Sequence, residues 1–175
     1  LGGSDPYSSS KGAAELVIRS HVKSFFPNDG NIRIAVGRAG NVIGGGDWAN
    51  DRIVPDCIRF WVKGKTVQLR NLNATRPWQH VLEPLSGYIA LSAKLHKNPD
   101  LHGEPFNFGP PAHQNNTVLE LVSEMSKYWE NVSWGNISDS KKQPKESSLL
   151  KLNCDKALHH LQWQAILPFK KTVRM

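Results

Sequence analysis

Residues 5–37 read DPYSSSKGAAELVIRSHVKSFFPNDGNIRIAVG. The first part predicts a helix over residues 6–26, because Asp5 can cap its N-terminus, Pro6 suits its first turn and apolar residues form a stripe along it. The last part, residues 32–37, is rich in β-branched residues and predicts a buried strand. A helix that leads directly into a buried strand is typical of α/β proteins.

The rest of the sequence continues this alternation. Apolar periodicity predicts further helices and strands, separated by a glycine-rich loop at 38–51 and a polar loop at 71–76. The expected helices span 53–62, 82–97, 117–129 and 155–161, and the expected strands span 66–69, 105–109 and 132–134. The fold class predicted from the sequence is therefore α/β.

Composition excludes several classes of protein. The net charge is +7, but the basic residues are spread along the chain without interleaved aromatic residues, so we do not expect nucleic-acid binding. No apolar stretch approaches the roughly 20 residues that cross a bilayer. The two cysteines are far apart in sequence, which argues against a disulfide framework and favours the cytoplasm. No group of Cys, His and carboxylate residues has the spacing of a metal site, so none is predicted.

Tyr7 and Lys11 are the residues with the clearest chemical potential. They are four positions apart, so they lie on the same face of the predicted helix, with Cβ atoms about 6 Å apart. A free tyrosine has a pKa of about 10 and is a poor base at neutral pH. A lysine ammonium about 4 Å away stabilises a phenolate by about 4 kcal/mol at an effective dielectric constant near 20. The pair can therefore act as a general base, although a solvated surface pair has the same spacing.

Several segments, in order along the chain, resemble the extended short-chain dehydrogenase/reductases. Tyr7-Ser-Ser-Ser-Lys11 matches the catalytic helix of that family, and Leu152-Asn-Cys-Asp-Lys-Ala157 followed by Leu161-Gln-Trp163 matches its C-terminal signature. Three segments between them also match: Arg38-Ala-Gly-Asn-Val-Ile-Gly44, Arg76-Pro-Trp-Gln-His-Val81 and Phe106-Asn-Phe-Gly109. Within the family, the stretches 38–56 and 70–84 are most similar to the nucleotide-sugar 4,6-dehydratases.

The resemblance implies a fold and a cofactor. The chain would contain the C-terminal part of a Rossmann-like, doubly wound parallel sheet and a smaller mixed α/β domain for the nucleotide sugar. Residues 1–52, with 79–109 returning to them, would form the NAD-binding part, and residues 53–78 and 110–175 the substrate domain. NAD would be bound by Tyr7, Lys11 and Arg38. Tyr7 would take the proton of the sugar 4-hydroxyl, and Lys11 would bind the nicotinamide ribose and stabilise the phenolate.

The resemblance also implies a substrate site. Arg76 would bind the diphosphate, Asn41 would lie near it, and Arg52 would add a contact at the start of a helix. Gln68 and Leu69 would line the nucleobase pocket. The implied substrate is CDP-glucose, which would lose water across carbons 5 and 6 to give a 4-keto-6-deoxy sugar for surface polysaccharide such as O-antigen. A homodimer is the implied assembly.

One element of the family pattern is missing. No G-x-x-G-x-x-G loop occurs in the 175 residues, and Gly44-Gly45-Gly46 does not replace it because it follows no opening strand. We therefore expect the chain to be a fragment that is inactive alone. Two alternatives stay open: another nucleotide-sugar dehydratase or an epimerase of the same family, and a non-catalytic module that binds a nucleotide or a polyanion.

Overall fold

The computed structural model describes residues 5–137 and 150–175, in which helices and strands alternate. The helices are α1 (Pro6–Phe25), α2 (Ile53–Trp61), α3 (Leu82–Lys97), α4 (Val118–Met125), α5 (Asp155–Leu161) and α6 (Phe169–Arg174). The strands are β1 (Val36–Ala39), β2 (Val42–Ile43), β3 (Val67–Leu69), β4 (Thr75–Arg76), β5 (Gln79–His80), β6 (Pro105–Phe108), β7 (Asn116–Thr117) and β8 (Trp134–Asn136). The α/β class predicted from the sequence is confirmed.

The chain divides into two compact units. The first contains the described residues up to Arg38 together with Tyr88–Phe106, and the second contains Ala39–Gly87 and the described residues from Asn107 onward. The functional boundaries expected from the sequence (1–52 with 79–109, and 53–78 with 110–175) stay a prediction.

Helix α1 belongs to the first unit and begins as the sequence predicted. The Asp5 carboxylate accepts a hydrogen bond of 2.9 Å from the backbone N–H of Ser8, which satisfies one of the free donors of the first turn. At the other end, the N–H of Phe26 still donates to the carbonyl of Val22 at 3.1 Å. Within this unit the middle of the helix presents apolar side chains to solvent, since Leu16 and Val17 are each 55% exposed.

The strand predicted at residues 32–37 is shorter and lies later, at β1. The reason is that the backbone around Ile34 bonds to an irregular segment rather than to a strand. The N–H of Ile34 donates to Nδ1 of His102 at 3.0 Å, and its carbonyl accepts from the N–H of Gly103 at 2.7 Å. Regular pairing begins only where the N–H of Val36 donates to the carbonyl of Glu104.

The second unit is organised around short strand pairs. Strands β2 and β5 are parallel, with Val42 opposite Gln79, and β3 and β8 are parallel, with Val67 opposite Trp134. Strands β4 and β7 are antiparallel. The segments of β2 and β4 were predicted as loops, because a two-residue strand has no periodicity to detect. The strand predicted at 132–134 is found two residues later, at β8.

Two helices differ from expectation. Helix α4 begins with a capping box, in which the Thr117 hydroxyl accepts from the N–H of Glu120 and the Glu120 carboxylate accepts from the N–H of Thr117. It ends at Met125, and a 3₁₀ turn at Ser126–Tyr128 replaces the rest of the expected helix. Helix α6 was not predicted, because it is only six residues long.

The core of the second unit joins α2, β3 and α4. Its buried members are Cys57, Trp61, Val67, Leu69 and Val122. In β3 the burial alternates, because Val67 and Leu69 face this core and Gln68 faces solvent. The indole N–H of Trp61 donates to the carbonyl of Ser133 at 3.1 Å, so the core also fixes the chain that leads into β8.

A buried carboxylate attaches the C-terminal residues to α3. Glu83 is 4% exposed, and its Oε1 accepts hydrogen bonds from the N–H groups of Ile166 and Leu167 at 2.9 and 2.6 Å. Nearby, the indole N–H of Trp163 donates to the hydroxyl of Ser86 at 2.9 Å. The first turn of α3 thus anchors a segment more than 80 residues later.

Candidate functional site

Tyr7 and Lys11 lie one above the other on the first turns of α1. The Nζ of Lys11 is 5.6 Å from the centroid of the Tyr7 ring, which is within the range of a cation–π contact. Tyr7 is 67% exposed, so its phenol is accessible within this unit. The neighbourhood predicted from the four-residue spacing is confirmed, and the catalytic roles of the two residues stay a prediction.

Arg38 is held by an ion pair with Glu15. Its Nε and Nη2 donate to the two carboxylate oxygens at 2.6 and 2.7 Å, the two-point geometry that guanidinium and carboxylate groups favour. The hydrogen bond from Arg38 lowers the pKa of Glu15 and raises that of Arg38. Arg38 therefore joins β1 to α1, and its predicted contact with a cofactor stays a prediction.

The first unit offers groups that fit the nicotinamide end of a dinucleotide. The Tyr7 phenol and the Lys11 ammonium share one helical face, and an ammonium is a suitable donor to ribose hydroxyl oxygens. The 175 residues contain no glycine-rich loop for the pyrophosphate. The residues present thus fit one end of such a cofactor.

The structure brings Asn41 close to the segment that carries Arg76. The carbonyl of Asn41 accepts from the N–H of Gln79 at 3.0 Å. Gly40 packs against the same segment, since a Cβ added there would lie 2.9 Å from Cγ of Pro77. Arg76 is only 8% exposed, and its Nη1 donates to the carbonyl of Thr75 at 2.8 Å.

Arg52 and Gln68 are connected through their neighbours. Arg52 precedes α2 and makes no capping hydrogen bond with its side chain, which is exposed. The adjacent Asp51 lies 3.7 Å from Nη2 of Arg70, two residues beyond Gln68. The loop before α2 is thereby tied to the end of β3.

Leu69 contributes to the core rather than to an exposed surface. Its side chain is 5% exposed and packs in the cluster of the second unit. Its carbonyl accepts from the N–H of Ile137 at 3.0 Å. Gln68, by contrast, is exposed on the outer face of β3. Of the two residues predicted to line the nucleobase pocket, Gln68 has the accessible side chain.

Sequence reasoning missed two features. One is Gly135, which pairs with Gln68 across the parallel strands and has no signal in the sequence beyond being a glycine. The other is a surface cavity of about 330 Å³ in the first unit, lined by residues of the C-terminal end of α1 and by residues 102–104. Its cationic lining residues include Arg19 and Lys23, one helical turn apart.

Across residues 5–137 and 150–175, no group of three or more His, Cys, Asp or Glu residues could hold a metal ion. Among the helices of the same ranges, none is long and apolar enough to cross a membrane.

The chain is similar to a curated enzyme. It is 46% identical over 169 residues to CDP-glucose 4,6-dehydratase from Salmonella typhimurium strain LT2, and the match covers 93% of this chain. It covers 46% of the relative, so the chain spans about half the length of the protein that it matches. No family model matches the chain.

The fold is shared with solved structures of nucleotide-sugar enzymes. UDP-glucuronic acid 4-epimerase from Bacillus cereus, solved with UDP-glucuronic acid and NAD, superposes with a TM-score of 0.78 at 19% identity. It matches 97% of this chain and 50% of its own. dTDP-glucose 4,6-dehydratase from Bacillus anthracis, solved with NAD, gives a TM-score of 0.73 at 21% identity and matches 99% of this chain and 51% of its own.

These similarities agree with the family-like motifs along the sequence, of which the first begins at Tyr7 and the last ends at Trp163. The fold is an α/β fold with parallel strand pairs, shared with about half of each of these Rossmann-like proteins. The chain belongs to the extended short-chain dehydrogenase/reductases and is a relative of CDP-glucose 4,6-dehydratase.

Proposed function

We propose that the protein to which this chain belongs is an NAD-dependent 4,6-dehydratase that acts on CDP-glucose. The observation that carries the proposal is the stacked Tyr7–Lys11 pair at the start of α1. It occurs in a chain that is 46% identical to a curated CDP-glucose 4,6-dehydratase. Both the reaction and the substrate are carried over from that relative and from the sequence motifs.

Tyr7 is the proposed general base. Its exposed phenolate takes the proton of the sugar 4-hydroxyl, and Lys11 stabilises the negative charge from a position on the same helical face. Lys11 would also help to hold NAD by donating to its ribose hydroxyl oxygens. Bound NAD would supply a hydride acceptor for oxidation at carbon 4 and a hydride donor for the later reduction.

The second unit contains the residues proposed to bind the substrate. Arg76 is the proposed ligand of the diphosphate, because a guanidinium can donate to two phosphate oxygens at once. Asn41 lies on the segment that packs against Pro77, next to Arg76. Arg52 precedes α2, where N–H groups of the helix also favour an anion.

Activity requires a dinucleotide loop that the 175 residues do not contain. We therefore propose that this chain alone forms no product, whereas a longer polypeptide that includes such a loop is active. A homodimer in the cytoplasm is part of the proposal, together with a role in making deoxysugars for O-antigen. The exposed apolar side chains of α1 support self-association.

Calorimetry of the chain with four nucleotide sugars tests the substrate. We expect CDP-glucose to bind at least tenfold more tightly than UDP-glucose, dTDP-glucose or GDP-mannose. Arg76→Ala should lose most of this affinity, and Lys94→Ala, on the exposed face of α3, serves as a matched control. Preference for another nucleotide would assign the chain to a different dehydratase or an epimerase, and salt-sensitive oligonucleotide binding would indicate a polyanion-binding module.

Turnover is tested on the longer polypeptide. Incubation with CDP-glucose should give a product lighter by one water in mass spectrometry, and Tyr7→Phe should abolish it while leaving substrate binding unchanged. A product of unchanged mass would identify an epimerase instead.

A further inference from the structure

His102 links two backbone segments of the first unit, and each hydrogen bond fixes the role of one ring nitrogen. Nδ1 lies 3.0 Å from the backbone nitrogen of Ile34, which can only donate, so Nδ1 is the acceptor. Nε2 lies 2.9 Å from the carbonyl oxygen of Phe26, which can only accept, so Nε2 carries the proton. The two partners together require the neutral imidazole with its proton on Nε2.

A second proton on the ring would affect the two bonds in opposite ways. An imidazolium has two N–H donors and no acceptor, so the bond from Ile34 would be lost and two N–H groups would face each other. The bond to Phe26 would keep its donor and become charge-assisted. Protonation of His102 therefore releases the backbone N–H of Ile34 and leaves the connection to the end of α1 in place.

The imidazole lies where protons can reach it and among charges of both signs. His102 is half-buried and lines the surface cavity of about 330 Å³. From α1, Arg19 and Lys23 line the same cavity, and Glu104, from the segment of His102 itself, lines it with the opposite charge. Arg33 lies in the connection after α1 and donates to a backbone carbonyl of the cavity wall at 3.3 Å. Three of these four charges are positive, so a positive ring gains little from them.

We propose that His102 is a proton-sensitive link between the end of α1 and the chain that enters β1. At neutral pH the ring holds both Phe26 and Ile34. When Ile34 is released, the ring is free to take up a proton, as a free histidine does below about pH 6.5. The released state then binds one proton more than the closed state, so its population rises as the pH falls.

The link acts beside another connection between the same two elements. Arg38, in β1, forms an ion pair with Glu15 of α1. The pKa of Glu15 is lowered, so this ion pair persists at a pH of about 5 to 6. Mild acid therefore weakens one connection between α1 and the chain of β1 and leaves the other unchanged. His102 takes no part in the proposed reaction, so the link is independent of it.

Amide hydrogen exchange at Ile34 tests the release. After division by the intrinsic rate, exchange should become faster by up to about tenfold for each pH unit below about 6. His102→Asn offers a carboxamide oxygen in place of Nδ1 and does not titrate, so the corrected exchange should change by less than about twofold over the same range. His96→Ala, at an exposed position of α3, should behave like the parent. Equal corrected exchange at pH 7.5 and pH 5 in the parent would overturn the proposal.

Nitrogen chemical shifts of the ring test the protonation state in the parent chain. At neutral pH, Nδ1 of His102 should have the shift of an unprotonated nitrogen and Nε2 that of a protonated one. A proton on Nδ1 at neutral pH would contradict the proposal. His102→Gln can still donate to Phe26 but has no acceptor at the position of Nδ1, so Ile34 should exchange fast at every pH. Protection of Ile34 in this variant equal to that in the parent at pH 7.5 would also refute the link.

Discussion

The Arg38 guanidinium holds the Glu15 carboxylate through two parallel hydrogen bonds of 2.6 and 2.7 Å. The hydrogen bond from Arg38 is the main cause of the lowered pKa of Glu15. A carboxyl group whose pKa is lower in the folded state stabilises the fold above its unfolded pKa, here about 4.5. This contribution is lost as the pH falls through the folded value.

Replacing Glu15 by Gln should make the free energy of unfolding depend less on pH in the acidic range. At pH 7 we expect Glu15→Gln to lower the free energy of unfolding by about 1 kcal/mol. The Arg38–Glu15 ion pair has two hydrogen bonds, but it is partly exposed to solvent, which limits its contribution. As the pH falls through the lowered pKa of Glu15, the parent should lose this contribution, and the two proteins should come to unfold alike. Urea unfolding at pH 7 and at a series of lower pH values measures the difference. Asp29→Asn, which also removes one negative charge but at an exposed position, should have no such effect.

Replacing His102 should destabilise the first unit. Its Nδ1 accepts from the N–H of Ile34 at 3.0 Å, and its Nε2–H donates to the carbonyl of Phe26 at 2.9 Å. His102→Ala leaves both backbone groups without this partner, at about 2–4 kcal/mol in total. Denaturant unfolding followed by circular dichroism measures the loss. His96→Ala, at an exposed position of α3, is the control and should change the free energy of unfolding by less than about 0.5 kcal/mol. Equal effects of the two substitutions would refute the role of His102 in linking the backbones of Ile34 and Phe26.

Gly87→Ala should destabilise the second unit despite the better helix propensity of alanine. A Cβ at 87 would clash with Cδ1 of Phe108, whose ring is fully buried and packs edge-on against Trp163 with centroids 4.9 Å apart. Propensity favours alanine by about 1 kcal/mol, but overpacking costs about 1–3 kcal/mol or more. We expect a net loss in melting temperature. Adding Phe108→Leu should recover part of it, and a Gly87→Ala protein as stable as its parent would rule out the close contact.

Cys57 should resist thiol reagents in the native protein. Burial, the largest cause, raises the pKa of its thiol to about 12. At pH 8 only about one thiol in ten thousand is then ionised, and the thiolate is the reactive form. Titration with a disulfide reagent should modify only Cys154 in native protein and both cysteines in guanidinium chloride. Fast modification of Cys57 in the folded state would contradict its placement in the core.

The sequence was most informative where a pattern is long or a capping motif is explicit. Helix α5 has the predicted bounds, and α1 begins at the predicted cap. The strand at 32–37 was misplaced because Ile34 bonds to a histidine side chain, and nothing in a local pattern shows such a partner 68 residues away. Two-residue strands such as β2 are defined only by their neighbours, so they cannot be predicted from their own residues.

The candidate site, too, could be predicted from the sequence only in part. The Tyr7–Lys11 neighbourhood followed from helical geometry alone. The partner of Arg38 did not, because Glu15 is 23 positions away and only the fold brings the two together. The contact between Gly135 and Gln68 was also invisible, since it depends on the parallel register that places the two residues side by side. Motifs thus identified the candidate residues, and tertiary contacts showed which side chains are accessible.

The bonds from Ile166 and Leu167 to Glu83 set an order of events during synthesis. The carboxylate emerges from the ribosome more than 80 residues before the N–H groups that it binds. Until then, burial of the Glu83 carboxylate without its partners is unfavourable, so the start of α3 must stay hydrated. The second unit can therefore reach its final packing only late in translation, and a ribosome that pauses before residue 166 would expose an unfinished surface to chaperones and proteases.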